Sequence, residues 1–577
     1  MFNDKLLKKI LEKADILKGE EFDKFAKEAA SLGKKLENYL IEKKIITPTI
    51  LYENAANYFK VPFINLKNVN IRKDILFTIP EPIASTHNII AFDGNNKELK
   101  IATLDPENLE IFEFIRKKTG LDIKVYITTP DSIKEALKQY HKSLKAEFKY
   151  LSSSEDENKN NENKQNLKKL AEDIPVVRIV DTLLEYAIME GASDIHIEPE
   201  EKDVLVRYRI DGILHNVMVL PKSVQSGIIA RIKILANLKV DEHRLPQDGR
   251  FKITTNEYKV SFRVSIIPTF DGEKIVMRLL NEKAQVLTLE QLGFQKRVLE
   301  VVKRNISKPH GIILVTGPTG SGKTTTLYTI LNMLNTPQVN ISTIEDPIEY
   351  RMPHVNQSQV NAKIGFTFAA GLRALLRQDP DIIMVGEIRD TETAEIAIHA
   401  AMTGHLVLST IHTNDAPTTM PRLAEMGVPT FLIASTFNII IAQRLVRKIC
   451  TNCIQSYNLD KETIKELKKQ LNIDDLLKTL EKERAIIDAK KGLESLLFYR
   501  GKGCKKCNNT GYKGRIGIYE VLENTEEISK LILKKAGASE IKKQALTNGM
   551  LTMVEDGFIK AKNGITTIEE VLRVTKE

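Results

Sequence analysis

The spacing of apolar residues divides the chain into segments of different kinds. In the first 60 residues, apolar side chains recur every three or four positions, which predicts helices, for example at Leu36, Leu40 and Ile41. The next ninety residues alternate strand-like and helix-like runs, as a small packed α/β unit does. Residues 151–173 are polar and almost free of large apolar groups, so we predict a linker that cannot offset its own ordering entropy.

Two further patterns follow this linker. Residues 194–220 alternate apolar and polar side chains around the turn-forming pair Asp211 and Gly212, which predicts paired antiparallel strands in a second α/β domain. From Gly311 onward, short runs rich in Ile and Val alternate with helical stretches, the pattern of a mostly parallel sheet covered on both faces. A chain of 577 residues has room for about three to five such domains.

Composition and charge exclude several classes of protein. The net charge of 85 − 76 = +9 is small for this length, and residues 311–449 hold 10 basic against 11 acidic residues. The predicted parallel sheet therefore lacks the positive footprint of a nucleic-acid-binding surface, and the chain has no Trp for base stacking. No apolar run approaches the roughly 18 residues of a membrane span, and the N-terminal residues lack a signal-peptide core. We therefore expect a cytoplasmic protein.

A glycine-rich segment at residues 317–324 matches the phosphate-loop pattern G-x-x-x-x-G-K-[ST] in full, between an apolar run and a helical run. Its glycines allow backbone N–H groups to surround phosphate oxygens at a helix N-terminus. Lys323 is expected to reach the β and γ phosphates, and the Thr324 hydroxyl to ligate Mg²⁺. The residues expected to hold the nucleotide are Gly317, Pro318, Thr319, Gly320, Ser321, Gly322, Lys323, Thr324 and Thr325.

Acidic residues follow the next two apolar runs. The run 345–349 contains Glu349, and Glu387 ends a third run that is typical of a Walker B strand except for Gly386 at the usual Asp position. Strand ends of an open parallel sheet face the ligand crevice, so we expect these carboxylates near the phosphate loop, where they orient water for attack on the γ-phosphoryl group. The alternative is an acidic loop that is solvated or caps a helix.

Cations and histidines surround the same runs. Arg373 and Arg377 are four residues apart, so we predict that they share one helix face, either near the phosphates or in a surface salt bridge. His405 and His412 flank a strand-like run, and each is either structural or a sensor of the nucleotide state.

The four cysteines of the chain form two CxxC pairs, Cys450 with Cys453 and Cys504 with Cys507. A tetrahedral Cys₄ zinc site is the natural interpretation, with a helical excursion between the pairs. A redox-active pair and unliganded thiols are the alternatives.

Four motifs together resemble those of the type II secretion and type IV pilus assembly ATPase family. GPTGSGKTTTLY, STIEDPIEY, LRQDPDIIMVGEIRD and TGHLVLSTIHTND resemble its Walker A motif, Asp box, Walker B motif and His box. GASDIHIEP and LPQDGR resemble its second N-terminal domain, and the cysteines its zinc insertion. Residues 174–577 carry these specific motifs, whereas residues 1–150 resemble the family's first domain more weakly.

The resemblance implies a RecA-like P-loop ATPase core in a homohexameric ring, with ATP between the two major domains of a protomer and force as the product. It also implies roles for individual residues. Glu349 falls on the Asp-box catalytic carboxylate, Glu387 on the Walker B glutamate, and Arg373, Arg377 and Arg207 on arginines near the phosphates. Lys222 stands where some relatives have Arg, and its role stays open because Lys lacks the planar bidentate geometry.

The implied architecture is α/β throughout its larger domains. The expected domains are residues 1–150, a first N-terminal α/β docking domain; 151–173, a disordered linker; 174–285, a PAS-like second N-terminal domain; 286–449, the RecA-like core; 450–520, the tetracysteine zinc region; and 521–577, a C-terminal helical region. The expected cofactors are ATP, Mg²⁺ and Zn²⁺.

Partners follow from the same resemblance. We expect an inner-membrane platform protein and a cytoplasmic docking protein, with peripheral association at the inner membrane and no nucleic-acid partner. Some relatives bind cyclic di-GMP through a signature that begins Arg-Leu-Gly. Here Ser31 and Lys44 replace the expected residues, so we do not expect that ligand. Pilus assembly and type II secretion stay open, beside a nucleic-acid translocase and a nucleotide-binding scaffold without turnover.

Overall fold

The computed structural model describes residues 4–140, 174–281 and 287–576, apart from residues 15, 18, 32–35, 44, 80–82, 85–86, 96 and 256–257. The predicted linker and most of the stretch compared with the cyclic di-GMP signature, including Lys44, lie outside the described residues. Within the described ranges, no helix has both the length and the apolar character needed to cross a bilayer.

The chain divides into two compact units. The first comprises Met1–Ile210, Leu214–Phe251 and Phe262–Leu279, and the second comprises Asp211–Ile213, Lys252–Ser261 and Leu280–Glu577.

The first unit begins with helices and a small sheet, as the apolar spacing predicts. The helices are α1 (Asp4–Lys13), α2 (Gly19–Ser31), α3 (Leu36–Glu42), α4 (Pro48–Phe59) and α5 (Lys73–Leu76). The sheet has the order β1 (Ile89–Gly94), β2 (Glu98–Thr103), β3 (Asp122–Ile127), with α6 (Leu109–Thr119) before β3 and α7 (residues 130–140) after it. Strands β2 and β3 are parallel, so α6 forms the crossover between them.

A six-stranded sheet forms the rest of the first unit. Its elements are α8 (Ile174–Met189), β4 (Asp194–Pro199), β5 (Asp203–Ile210), β6 (Ile213–Pro221), α9 (Gln225–Leu235), β7 (Gln247–Thr254), β8 (Lys259–Thr269) and β9 (Gly272–Asn281). The strand order is β6-β5-β4-β9-β8-β7. Asp211 and Gly212 have φ angles of 50° and 88° between β5 and β6, which confirms the predicted turn.

The second unit contains a seven-stranded sheet, most of it parallel. Its elements up to the cysteines are α10 (Leu289–Leu292), α11 (Lys296–Ile306), β10 (Gly311–Thr316), α12 (Lys323–Leu334), β11 (Ile341–Glu345), β12 (Val355–Gln359), α13 (Phe368–Leu375), β13 (Ile382–Val385), α14 (Thr391–Met402), β14 (Leu406–Ile411), α15 (Thr419–Glu425), α16 (Thr430–Thr436) and β15 (Phe437–Ile449). The four parallel strands predicted from the Ile- and Val-rich runs are confirmed as β10, β11, β13 and β14.

Beyond β15, the chain leaves the sheet and then returns to it. The excursion contains β16 (Ile454–Asn458), α17 (Lys461–Gln470), α18 (Ile473–Lys482) and β17 (Leu497–Gly501), and the return strand is β18 (Tyr512–Glu523). Strand β18 pairs antiparallel with β15 and completes the order β12-β11-β13-β14-β10-β15-β18. It runs across residue 520, where the sequence analysis ends the tetracysteine region. Helices α19 (Glu526–Leu533), α20 (Ala538–Thr547), α21 (Met553–Lys562) and α22 (Ile568–Thr575) follow.

Apolar residues cover both faces of this sheet, which is why its strands are apolar throughout. On β10, Ile312 and Leu314 belong to one buried cluster, and Ile313 and Val315 belong to the cluster on the opposite face. Every residue of this strand is buried. The central strands are therefore rigid, and the polar loops that follow their carboxyl ends are held in fixed positions.

Candidate functional site

The glycine-rich loop connects the central strand β10 to helix α12. Gly317, Gly320 and Gly322 have φ angles of 144°, 79° and 91°, which L side chains rarely adopt. A Cβ atom on Gly317 would lie 2.6 Å from the carbonyl oxygen of Gln443, so this strand end has no room for a side chain. The loop leads into the N-terminus of α12 at Lys323. The unpaired N–H groups and positive dipole end of a helix at this point suit a phosphate group.

The ammonium group of Lys323 is held at this loop. Burial lowers the pKa of Lys323, and the carboxylate of Glu387 opposes that shift. Its Nζ donates hydrogen bonds to the carbonyl oxygens of Gly317 at 2.8 Å and Pro318 at 3.2 Å. A cation partly shielded from water interacts more strongly with phosphate oxygens than an exposed one does. Thr324 and Thr325 follow in the first turn of α12, half-buried and exposed respectively.

Glu387 lies beyond strand β13 at the same edge of the sheet. Its side chain is 12% exposed, its Oε2 lies 2.7 Å from Arg389 Nε, and the same oxygen lies 3.3 Å from His412 Nε2. The hydrogen bond to Glu387 raises the pKa of Arg389. Strands β13, β14 and β10 are adjacent and parallel, so the loops after them meet at one edge. Glu387 therefore places a fixed negative charge beside the phosphate loop.

Glu345 differs from its prediction. The sequence predicts the whole acidic run 345–349 near the phosphate loop, but Glu345 is only 2% exposed and lies inside the protein. It accepts hydrogen bonds from the Tyr328 hydroxyl, from Thr343 Oγ1 at 2.6 Å and from Gln357 Nε2 at 3.2 Å. Burial raises the pKa of Glu345, and these hydrogen bonds oppose the shift. Glu345 is the last residue of β11, a strand whose residues are all buried, whereas Glu349 lies in the loop beyond.

The prediction that Arg373 and Arg377 share one helix face is wrong. Helix α13 ends at Leu375, and Arg377 lies in the turn beyond it, just before Asp379 with its φ of 50°. Arg377 nevertheless stays next to Arg373, because its Nη1 donates a hydrogen bond to the carbonyl oxygen of Arg373 at 2.9 Å. Arg373 forms an exposed ion pair with Glu392 at 2.6 Å, which is the surface salt bridge that the sequence analysis gave as the alternative.

The two histidines lie at opposite ends of β14. His412 follows the carboxyl end of the strand and contacts Glu387. His405 precedes the amino end, and its Nδ1 lies 2.9 Å from the carbonyl oxygen of Ala400. Because ligands bind at the carboxyl ends of parallel strands, His412 lies at the edge of the sheet that carries the candidate site, and His405 lies at the opposite edge.

Two further sequence-predicted residues lie in the first unit. Arg207 forms an ion pair with Glu198 at 2.6 Å, and Lys274 contacts the same carboxylate at 2.8 Å. Burial opposes the charged form of Glu198, but the hydrogen bonds from Arg207 and Lys274 outweigh it and lower the pKa to about 2. Lys222 donates hydrogen bonds to the carbonyl oxygens of Glu200 and Asp271.

Gln443 is a residue of the site that the sequence analysis misses. It follows Ala442, which pairs with the last residue of β10, and is therefore beside the phosphate loop. Its side chain is buried, its Nε2 donates to the carbonyl oxygen of Ser321 at 2.7 Å, and its Oε1 accepts from Thr326 at 2.8 Å. The amide thus joins the loop to helix α12. A polar residue directly after the apolar run 439–442, within strand β15, is the sequence signal for it.

The four cysteines come together as predicted. Their sulfur atoms all lie within 4.8 Å of one another, at 3.8 Å for Cys450 and Cys504, 3.8 Å for Cys453 and Cys507, and 3.6 Å for Cys504 and Cys507. Four sulfurs around zinc, each about 2.3 Å from the metal, lie about 3.8 Å apart in a tetrahedron. The backbone N–H groups of Cys504 and Gly511 point to the Cys507 sulfur, as outer partners of a metal-bound thiolate do. The residues present fit zinc.

The chain matches two protein-family models. Residues 169–573 match the model described as type II/IV secretion system protein, and residues 59–147 match the MshEN domain.

Curated relatives cover most of the chain. The type IV pilus assembly ATPase PilB of Myxococcus xanthus is 40% identical over 575 residues, with 98% of each chain covered. The type II secretion system ATPase E of Vibrio cholerae is 45% identical over 406 residues, with 70% of this chain and 76% of that protein covered. Among solved structures, the Legionella pneumophila ATPase DotB has a TM-score of 0.49 at 22% identity, covering 69% of this chain and 95% of its own. The chain therefore belongs to the family of type II/IV secretion system proteins, a family of ATPases whose members need ATP and Mg²⁺.

Proposed function

We propose that this chain is the ATP-hydrolysing motor of type IV pilus assembly. The extent of the similarity supports this choice over type II secretion. The similarity to the pilus assembly ATPase of Myxococcus xanthus runs over 98% of both chains, whereas the similarity to the type II secretion ATPase of Vibrio cholerae covers 70% of this chain. A relative that matches nearly the whole chain shares more of its domains than one that matches 70% of it, and this favours pilus assembly.

The phosphate loop is proposed to bind the triphosphate through the N–H groups of residues 317–322 and the ammonium of Lys323. Its geometry supports this role, because three glycines with positive φ turn the loop toward the N-terminus of α12. Thr324 is the proposed ligand of Mg²⁺, which neutralises phosphate charge when it is bound. Thr325 is proposed to contribute from the same helical turn.

Two carboxylates are proposed to act on the attacking water. Glu387 is held by Arg389 and His412, so its oxygen atoms have a fixed position beside Lys323. Glu349 lies in the loop after β11 and is proposed as the second of these groups. Both act by accepting a hydrogen bond from water and so directing its lone pair toward the terminal phosphoryl group.

Arginines are proposed to balance the charge that develops on the phosphoryl oxygens. Arg373 is paired with Glu392, but both side chains are more than half exposed, and an exposed pair of this kind contributes about 0 to 1 kcal/mol. Arg373 can therefore exchange this partner for a phosphate at little cost, and Arg377 lies beside it. The resemblance also makes Arg207 a proposed phosphate-contacting arginine.

The assembly and its partners are also proposals. We propose a homohexamer that associates peripherally with the cytoplasmic side of the inner membrane. Residues 1–150 are proposed to dock it to a platform protein and a cytoplasmic docking protein. The other domain boundaries predicted from the sequence are also proposals. A scaffold without turnover predicts no phosphate release, and a nucleic-acid translocase predicts turnover that depends on DNA or RNA.

A genetic experiment tests the proposed function. Deleting the gene in its source organism is expected to abolish surface pili, and a plasmid copy is expected to restore them. A plasmid copy with Glu387→Gln is expected not to restore them. Loss of type II secretion with pili retained would contradict the assignment to pilus assembly, and pili in the Glu387→Gln strain would contradict the motor role.

We propose that the four cysteines bind one zinc ion that closes the segment between β15 and β18. Elemental analysis of the purified protein is expected to give about one zinc per chain, and Cys504→Ser is expected to lower that content, because three thiolates no longer complete a tetrahedral site. The melting temperature of the variant is expected to fall. Native protein that contains no zinc, together with an unchanged melting temperature in the Cys504→Ser variant, would disprove the site.

A further inference from the structure

We propose that the hydroxyl group of Tyr328 positions Glu349 for catalysis, so that Tyr328 is a positioning residue for the proposed reaction. The inference rests on the proposed function, because it takes Glu349 as a catalytic carboxylate. Tyr328 lies on α12, five residues after Lys323, and its side chain is buried. The helix that begins at the phosphate loop therefore also carries the group that holds the acidic loop.

The Tyr328 hydroxyl lies between the two side chains that anchor the acidic loop. It donates a hydrogen bond to Glu345 Oε2 and accepts one from Gln357 Nε2 at 3.4 Å. Glu345 is the last residue of strand β11, and Glu349 is the fourth residue after it. One oxygen atom of helix α12 thus ties the start of the loop that bears Glu349 to strand β12.

Gln357 holds the same loop from the neighbouring strand β12. Its Nε2 donates to the carbonyl oxygen of Tyr350 at 3.1 Å and to Glu345 at 3.2 Å, and its Oε1 accepts from the N–H of Met352 at 2.8 Å. Gln357 therefore fixes main-chain groups of Tyr350 and Met352, which follow Glu349 in the loop.

Aromatic packing completes this arrangement. The ring of Tyr350 packs edge-on against the ring of Tyr328, with centroids 4.6 Å apart and an interplanar angle of 80°. The buried carboxyl of Glu345 has hydrogen-bond partners on three elements, namely α12, β11 and β12. A buried polar network of this kind is costly unless its members are satisfied, and it fixes one conformation when they are. Here the conformation that it fixes is that of the loop bearing Glu349.

The consequence is a specific kinetic effect. None of the contacts described for the Tyr328 hydroxyl involves the phosphate loop itself, so its removal leaves nucleotide binding intact. It releases Glu345 and Gln357, the two side chains that anchor the loop bearing Glu349, and a displacement of about 1 Å at a catalytic group costs about 100-fold in rate. The hydroxyl is therefore needed for the chemical step and not for ATP affinity.

Tyr328→Phe tests this inference in the full-length protein. We expect kcat for ATP hydrolysis to fall about 10- to 100-fold, with KM and the Kd for ATP changed less than about twofold. Tyr140→Phe is the matched control, because this substitution also removes hydrogen bonds of a buried hydroxyl, here to the carbonyl oxygens of Leu76 and Ile79. Its kcat is expected to stay native. An unchanged kcat in Tyr328→Phe, or a change in Kd of the same size as the change in kcat, would overturn the proposal.

Two more variants distinguish failure of the inference from a folding defect and from failure of the proposed function. Gln357→Met removes the second clamp with little change in volume and is expected to give the same selective loss of kcat. In a Glu349→Gln background, Tyr328→Phe is expected to cause no further loss, since the group that it positions is already inactive. If Glu349→Gln itself hydrolyses ATP at the native rate, the proposed function fails. If Glu349→Gln is slow and the two losses multiply, only the inference fails.

Discussion

Glu387→Gln is expected to lower the rate of ATP hydrolysis about 100- to 10,000-fold, the usual contribution of a group that accepts a proton or orients a nucleophile. Glutamine keeps the size of the side chain and an oxygen that accepts the hydrogen bond from Arg389, so the loop is expected to keep its shape. What it loses is the negative charge at 2.7 Å from Arg389 and 3.3 Å from His412. ATP binding is expected to hold or tighten, because one charge that repels the phosphates is gone.

The measurement is phosphate release by the full-length protein, with ATP affinity determined in parallel. Glu395→Gln is the matched control, since Glu395 is an exposed residue of α14 eight positions further along the chain. The control is expected to keep native turnover. Equal turnover in Glu387→Gln and the native protein would remove Glu387 from the site.

Local geometry explains how much of the site the sequence predicts. Glycine at positions 317, 320 and 322 permits the positive φ angles of this loop, and its flanking runs identify the strand and the helix. The positions of Glu387 and His412 follow equally well, because parallel strands bring their carboxyl ends to one edge whatever the rest of the fold does.

The features that the sequence does not predict depend on tertiary packing. Glu345 and Glu349 are both acidic and only four residues apart, yet one is buried in a hydrogen-bond network and the other lies in the loop. The difference depends on Tyr328 and Gln357, which come from separate elements. Likewise, nothing near Arg373 in the sequence indicates its partner on α14.

The residue at which a helix ends is also difficult to predict from sequence. A spacing of four residues places Arg373 and Arg377 on one face only if the helix continues through both, and α13 ends at Leu375. The entry to β13 is fixed further along the chain, where Asp381 accepts a hydrogen bond from the N–H of Asn340. The periodicity of the sequence gives the type of element more reliably than its last residue.

Lys323→Ala is expected to lower turnover for a different reason, namely weaker binding of ATP. The variant removes the ammonium group that bonds to the carbonyl oxygens of Gly317 and Pro318, beside the glycines whose N–H groups are proposed to bind phosphate. Hydrogen bonds to charged groups contribute about 1.5 to 3 kcal/mol each, so the Kd for ATP is expected to rise about 10- to 100-fold. The affinity for adenosine, which has no phosphate, is expected to stay unchanged.

The contrast between the two variants is what separates their roles. Glu387→Gln is expected to bind ATP without hydrolysing it, whereas Lys323→Ala is expected to fail at binding, and titration calorimetry distinguishes the two outcomes. Lys363→Ala, which removes an exposed lysine of the same unit, is the control for loss of one positive charge. Native ATP affinity in Lys323→Ala would mean that the phosphates lie elsewhere. Because Glu387 opposes the burial-induced fall of the Lys323 pKa, the acid acts on the charge of the lysine as well as on water. The double variant is therefore expected to bind ATP no more weakly than Lys323→Ala alone, since the acid has no ammonium left to influence and its repulsion of the phosphates is gone.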